Sequence, residues 1–192
     1  MIQRVGKTRA YSPRDGFSLV EIALVTVFLL VAVGGLASAV VSALRLSRTT
    51  EETSKADDAV RELAAEMQSA VFADIFHSYN GNPGDDPAGA GTAPGGTFDV
   101  LGLTPRRDDP DGRVGRIVFP ALPIGAGPAE ALREDVVDAR LGMDAGRDLN
   151  GDGNVDALDH SADYIALPAR LIVEWSGAGG PRSVELDLFL VP

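Results

Sequence analysis

The sequence predicts an α+β fold in which one long N-terminal helix, half membrane-spanning and half amphipathic, packs on a small antiparallel β-sheet. Three observations predict it. Residues 22–44 carry no charge and are mostly apolar; 45–79 repeat apolar residues at helical spacing without Pro or Gly; and 169–191 alternate apolar and polar residues around a glycine-rich turn. These features divide the chain into 1–16, a helix at 17–44, its amphipathic continuation at 45–79 and a globular head at 80–192.

The first segment, 1–16, is short, polar and basic, with Arg4, Lys7, Arg9 and Arg14 against Asp15. Beyond it, 22–44 is long enough at about 1.5 Å per residue to cross a hydrocarbon core of about 30 Å. An ordinary secretory signal places its apolar region ahead of the cleavage point and loses it with the leader. Here the order is reversed, because the Gly16/Phe17 junction precedes the apolar run. A cut there removes the basic leader and keeps the span. The positive charges before the span place the N-terminus in the cytoplasm and the chain after Arg45 across the membrane. The expected location is the cytoplasmic membrane, in a single pass through lipid.

Glu21 is the one acid in this part of the helix. An ionised acid at the bilayer centre costs about 2.5–3.5 kcal/mol on insertion scales, so such residues have partners or sit at the headgroup level. Gly16, Phe17 and Glu21, followed by the apolar run, resemble the type IV pilin and pseudopilin family, whose leader ends in Gly and whose mature chain opens Phe-x-x-x-Glu. The resemblance implies cleavage between Gly16 and Phe17 by a prepilin peptidase, methylation of the new amino group of Phe17, and a pilin-like architecture. It further implies that this membrane is an inner membrane, and that an inner-membrane assembly platform and other pilin or pseudopilin subunits are partners, with Glu21 meeting the amino group of Phe17 on a neighbour. A plain single-span anchor, with Glu21 at the headgroup level, is the alternative. Gly34 and Gly35 within the span permit close helix packing or local unwinding.

The formal net charge is −11, from 28 acidic and 17 Lys and Arg residues, and removal of the basic leader makes the exported part more acidic still. That composition argues against nucleic acid as a partner, since phosphate backbones are held by Lys and Arg. There is no cysteine, so any stapling of the head comes from packing or metal. The residues beyond the helix suffice for one small domain.

Within 45–79, Val60, Leu63, Met67, Val71 and Ile75 form an apolar stripe among Glu51, Lys55, Asp58, Arg61 and Glu66. Asn80–Gly96 is rich in Gly, Pro, Ala and Asp, and is expected to be an exposed loop and the segment most prone to disorder. Short strands are expected at 97–103 and 116–122, and a separate short helix at 128–141. Strands at 169–176 and 183–191 are expected to form a hairpin across a turn at 177–182. Leu171, Val173 and Trp175 share a face of the first, and Val184, Leu186, Leu188 and Leu190 share a face of the second.

The segment 148–159 reads DLNGDGNVDALD. Oxygen side chains stand at its first, third, fifth, ninth and twelfth places, as Asp148, Asn150, Asp152, Asp156 and Asp159, with Gly153 at the sixth and the Asn154 carbonyl available at the seventh. Calcium takes six to eight oxygens at about 2.3–2.6 Å, and the glycine permits the sharp turn that aims them at one point. The segment resembles EF-hand loops, especially the dockerin-like variety, which ends in Asp rather than a bidentate Glu. One copy, leading into a strand rather than a helix, implies a lone structural calcium site and not a sensor or a cohesin-binding module; an acidic, solvated Asx-rich loop is the plain alternative.

Catalysis finds little support. His77 and His160 are the two histidines, and neither stands in a zinc-type or nucleophile motif. His160 is expected to be a solvated loop residue, with a ligand to a softer metal as the alternative; Trp175 is expected to be a core residue rather than a sugar platform, and 106–113 a charged turn. The function expected is that of a non-enzymatic minor pilin or pseudopilin of a type IV pilus or type II secretion system, with calcium holding one loop of the head. The runner-up is a membrane-anchored, calcium-binding adhesion or scaffold module that does not polymerise. An anchored hydrolase is a more distant third.

Overall fold

The computed structural model describes Gly16, 18–141 and 143–192. The expected leader before Gly16, and Phe17, lie outside the described residues. The described residues form two compact units, divided between Leu44 and Arg45. Helix α1 (Leu19–Ser69) contributes to both.

In the first unit the helix is long and apolar enough to cross a membrane. Its large side chains are exposed throughout, from Leu19 and Val20 to Leu44. Gly34 and Gly35 remain helical, so the backbone is not unwound there, and no atom lies within 4 Å of where a Cβ would stand.

In the second unit, α1 buries Ala56, Val60, Ala64 and Met67, one stripe at spacings of four, four and three. This stripe lies in the core with Leu171, Val173 and Trp175. The expected stripe is correct at Val60, Met67 and Ile75, half-buried at Leu63 and wrong at Val71, which is exposed. The reason is local: α1 ends at Ser69, and Val71 is extended at φ −64° and ψ 119°. A 3-10 turn (Phe72–Asp74) and a short helix α2 (Ile75–Tyr79) follow. The Tyr164 hydroxyl donates to the Phe72 carbonyl at 2.6 Å and accepts the Phe76 N–H at 3.3 Å. A distant side chain thus satisfies backbone groups that a continuous helix would have paired internally.

The loop at 80–96 has a defined path. Asn80 donates to Asp85 Oδ2 at 3.0 Å and accepts the Asn82 N–H at 2.8 Å, while Gly95 N–H donates to the Ser78 carbonyl. Four antiparallel strands form the main sheet in the order β1 (Thr97–Phe98), β2 (Gly115–Val118), β5 (Leu167–Gly177), β6 (Gly180–Leu190). The expected strand at 97–103 shortens to β1. Phe98 faces Gly115 across the ladder, and its ring fills the space where a Cβ of Gly115 would stand.

The expected strand at 116–122 divides into β2 and β3 (Ala121–Pro123), which leaves the main sheet to pair with β4 (Glu130–Leu132). The expected helix at 128–141 is therefore not formed. Its backbone donors are taken by distant acceptors: Arg133 N–H by Pro120, and Asp135 N–H by Asp156. One 3-10 turn, Ala139–Leu141, remains of it.

The expected hairpin is present, with a tighter turn: Gly177 pairs with Gly180, leaving Ala178 and Gly179 between the strands. Leu171, Val173 and Trp175 are buried together, and Val184, Leu186 and Leu188 pack half-buried beside them, with Leu190 buried at the end. The opposite face of β5 carries Arg170, paired with Glu185 and Asp187, and Glu174, paired with Arg106 and Arg116. The result is an α+β arrangement, a long helix on a small antiparallel sheet.

Candidate metal centre

β4 delivers the chain to Glu134, and the loop at 148–160 docks on that delivery. His160 N–H donates to the Leu132 carbonyl at 2.8 Å, Arg147 N–H to the Glu134 carbonyl at 2.8 Å, and Leu132 N–H to Asp159 Oδ1 at 3.1 Å. Leu149, fully buried, anchors the start of the loop, and its carbonyl accepts Ile165 and Ala166 N–H.

The loop turns on side-chain oxygens at two-residue spacing. Asn150 Oδ1 accepts Asp152 N–H, Asp152 Oδ1 accepts Asn154 N–H, Asp156 Oδ1 accepts Leu158 N–H, and Asp159 Oδ1 accepts Ser161 N–H. Asp148 reaches further, its two oxygens taking Gly151 N–H at 2.6 Å and Gly153 N–H at 2.9 Å. Gly151 and Gly153 stand at φ 79° and 87°, the left-handed region that side-chain-bearing residues avoid.

Glu134 lies at the centre with 1% of its surface exposed. Its Oε1 accepts Leu149 N–H at 2.7 Å and Asn150 N–H at 3.2 Å, and its Oε2 accepts Asp156 N–H at 3.2 Å. One buried carboxylate thus holds both ends of the loop. His160, expected to be solvated, is instead 4% exposed. Its Nε2 is 3.1 Å from Asp156 Oδ1 and 3.7 Å from Glu134 Oε2, and its Nδ1 is 3.1 Å from Asp163 Oδ1. Burial opposes protonation of this imidazole, but hydrogen bonds to Asp156 and Asp163 and the charge of Glu134 outweigh it and raise its pKa. The Leu158 N–H, and then His160, hold the Asp156 carboxyl below its ordinary value.

Glu134, Asp156 and His160 could hold a metal ion. Their ligand atoms all lie within 4.8 Å of one another, the one such group of three or more His, Cys, Asp or Glu among the described residues. Of the residues expected to bind calcium, Asp156 belongs to this group. Asp148, Asp152 and Asp159 do not, and turn onto backbone N–H groups. Glu134 is an addition, and His160 joins through the less favoured of its two expected roles. The spacing Asp156, His160, Asp163 is legible in the sequence, whereas Glu134 comes from a segment that reads as helix. Of the expected processing and assembly residues, Gly16 is exposed ahead of α1 and Glu21 is exposed in its first turn, while Phe17 lies outside the described residues.

The cleft of about 650 Å³ between the 80–96 loop and β2–β3, bordered by Asn80, Asp86, Arg116, Phe119 and Glu130, contains none of the three clustered residues. No protein-family model, curated protein or solved structure matches this chain.

Proposed function

We propose that this chain is a minor pilin or pseudopilin, a structural subunit of a type IV pilus or a type II secretion pseudopilus. A prepilin peptidase cuts between Gly16 and Phe17, the amino group of Phe17 is methylated, and the subunit waits in the inner membrane with its head on the extracytoplasmic side. Assembly then proceeds through the apolar half of α1. Calcium on the loop at 148–159 fixes the shape of the head.

One observation carries the reading: the helix keeps its large apolar side chains exposed from Leu19 to Leu44, with Glu21 as the one charge among them. The core helix of a globular domain would bury such a surface. Lipid covers it before assembly, and neighbouring helices cover it afterwards. The acid one turn into the helix has a partner in the freed ammonium of Phe17 on an adjacent subunit. The left-handed glycines at 151 and 153 support the calcium loop, since they allow the backbone to curl around an ion.

Mass spectrometry of the protein recovered from membranes that contain the export machinery tests this reading. The expected N-terminus is N-methylated Phe17. Recovery of the chain with Met1 to Gly16 intact, and always as a monomer, overturns it.

A further inference from the structure

We propose that Glu134, Asp156 and His160 form a binding site for zinc, or a chemically similar late first-row divalent ion, that shares only Asp156 with the calcium positions of the neighbouring loop, with Asp163 orienting the histidine. The proposal does not depend on filament assembly. It rests on the donor set, its spacing and its support.

Zinc with three protein ligands binds them at about 2.0–2.2 Å in a tetrahedral shell, which sets neighbouring ligand atoms about 3.3–3.6 Å apart. His160 Nε2 is 3.1 Å from Asp156 Oδ1 and 3.7 Å from Glu134 Oε2, spacings that bracket this range. The donor types choose among metals. Calcium and magnesium take oxygen ligands, whereas imidazole suits zinc, copper and nickel. A buried histidine at the meeting point of two carboxylates is therefore a poor calcium ligand and a good zinc ligand.

The histidine is also held as metal-bound histidines are. A ligating imidazole hands its other ring nitrogen to a carboxylate or carbonyl, which fixes the ring and the tautomer. Asp163 Oδ1 occupies that place, 3.1 Å from Nδ1, and leaves Nε2 facing Asp156 and Glu134. Glu134 is oriented as well, because Leu149 and Asn150 N–H hold Oε1 and Oε2 is the oxygen nearer the ring.

Charge points the same way. An imidazolium alone faces three carboxylates, those of Glu134, Asp156 and Asp163. A divalent ion on a neutral imidazole offsets one more of these charges, which matters most at Glu134, whose side chain is 1% exposed. Asp156, with 39% of its side chain exposed, opens the site to the solvent from which an ion and a fourth, water ligand come. Asp156 is also the ninth residue of the calcium loop, a position that often reaches calcium through water. Asp148, Asn150, Asp152, the Asn154 carbonyl and Asp159 remain available to calcium.

The full-length chain, purified in detergent, stripped of metal and saturated with calcium, is titrated with zinc by calorimetry and with Co(II) by absorption. One equivalent of zinc is expected to bind with calcium present, and Co(II) is expected to show the intense visible bands of a four-coordinate site. His160→Gln abolishes both signals. Asp163→Asn weakens zinc by roughly 10- to 100-fold with unchanged circular dichroism. Asp148→Asn removes the calcium response and keeps zinc. Zinc that fails to bind stoichiometrically, that calcium displaces, or that binds Asp163→Asn as tightly as the parent overturns the proposal. Asp163→Asn decides the matter even where His160→Gln does not fold.

Discussion

Trp175 donates its indole N–H to Glu52 Oε2 at 3.3 Å, joining β5 to the 45–69 part of α1. The same oxygen accepts Ala178 N–H at 3.2 Å, so one carboxylate ties the indole and the hairpin turn to the helix. Glu52→Ala leaves the indole N–H, on a side chain 1% exposed, without an acceptor. The expected cost is about 1–3 kcal/mol. Glu52→Gln keeps an acceptor oxygen and should recover most of it. Urea unfolding followed by the fluorescence of Trp175, the one tryptophan in the chain, measures both.

Tyr79 contributes stability that is lost at alkaline pH. Its hydroxyl donates to Glu66 Oε1 at 3.1 Å, and burial first, then the hydrogen bond and charge of Glu66, push its pKa up to about 12 from 10.0. The folded state therefore prefers the neutral phenol. The stabilisation is complete below pH 10 and is lost as pH rises from 10 towards 12, because the unfolded chain ionises first. Tyr79→Phe should flatten that part of the stability profile, read as denaturation midpoint against pH.

Calcium should raise the stability of the head. A ligand that binds only the folded form adds about 2.7 kcal/mol at a hundredfold excess over its dissociation constant. Extracellular modules with EF-hand loops bind with dissociation constants of about 10⁻⁴–10⁻³ M, so millimolar calcium is the range to test. Calorimetric melting should shift upward for the parent and not for Asp148→Asn. An unchanged parent removes calcium from the account of the loop.

Glu21→Ala should leave membrane insertion intact, since it removes a charge from an apolar helix. Under the proposed assembly, in which the amino group of a neighbouring Phe17 is the partner of Glu21, incorporation into filaments should fall. Quantitative mass spectrometry of membranes and of sheared filaments separates the two outcomes. Mutant subunits at parental abundance in the filaments would remove the role given to Glu21.

Hydrophobic periodicity makes much of the fold legible in the chain itself. The apolar run, the stripe through Val60 and Met67 and the hairpin of β5 and β6 are patterns in which each residue's environment follows from its neighbours. The break at Val71 is not legible, because no Pro or Gly marks it and the group that sustains it, the Tyr164 hydroxyl, is more than ninety residues away. The segment 128–141 misleads for the same reason. Its mixed charge and apolar content suit a short helix, but Pro120 and Asp156 claim the N–H groups of Arg133 and Asp135.

By itself the sequence determined the exposed apolar helix with its lone acid, the alternation of the final hairpin and a loop whose oxygens and glycines recur at short, regular steps. Those properties are local, set by residues within one or two turns of each other. Only the tertiary structure decided that Glu134 enters the loop and that His160 is buried between Glu134 and Asp156. Glu134 reaches that point because β4 pairs with β3 and aims the following residues at 148–160. Such a convergence comes from hydrogen bonds between distant backbone segments, which leave no periodic mark on the chain.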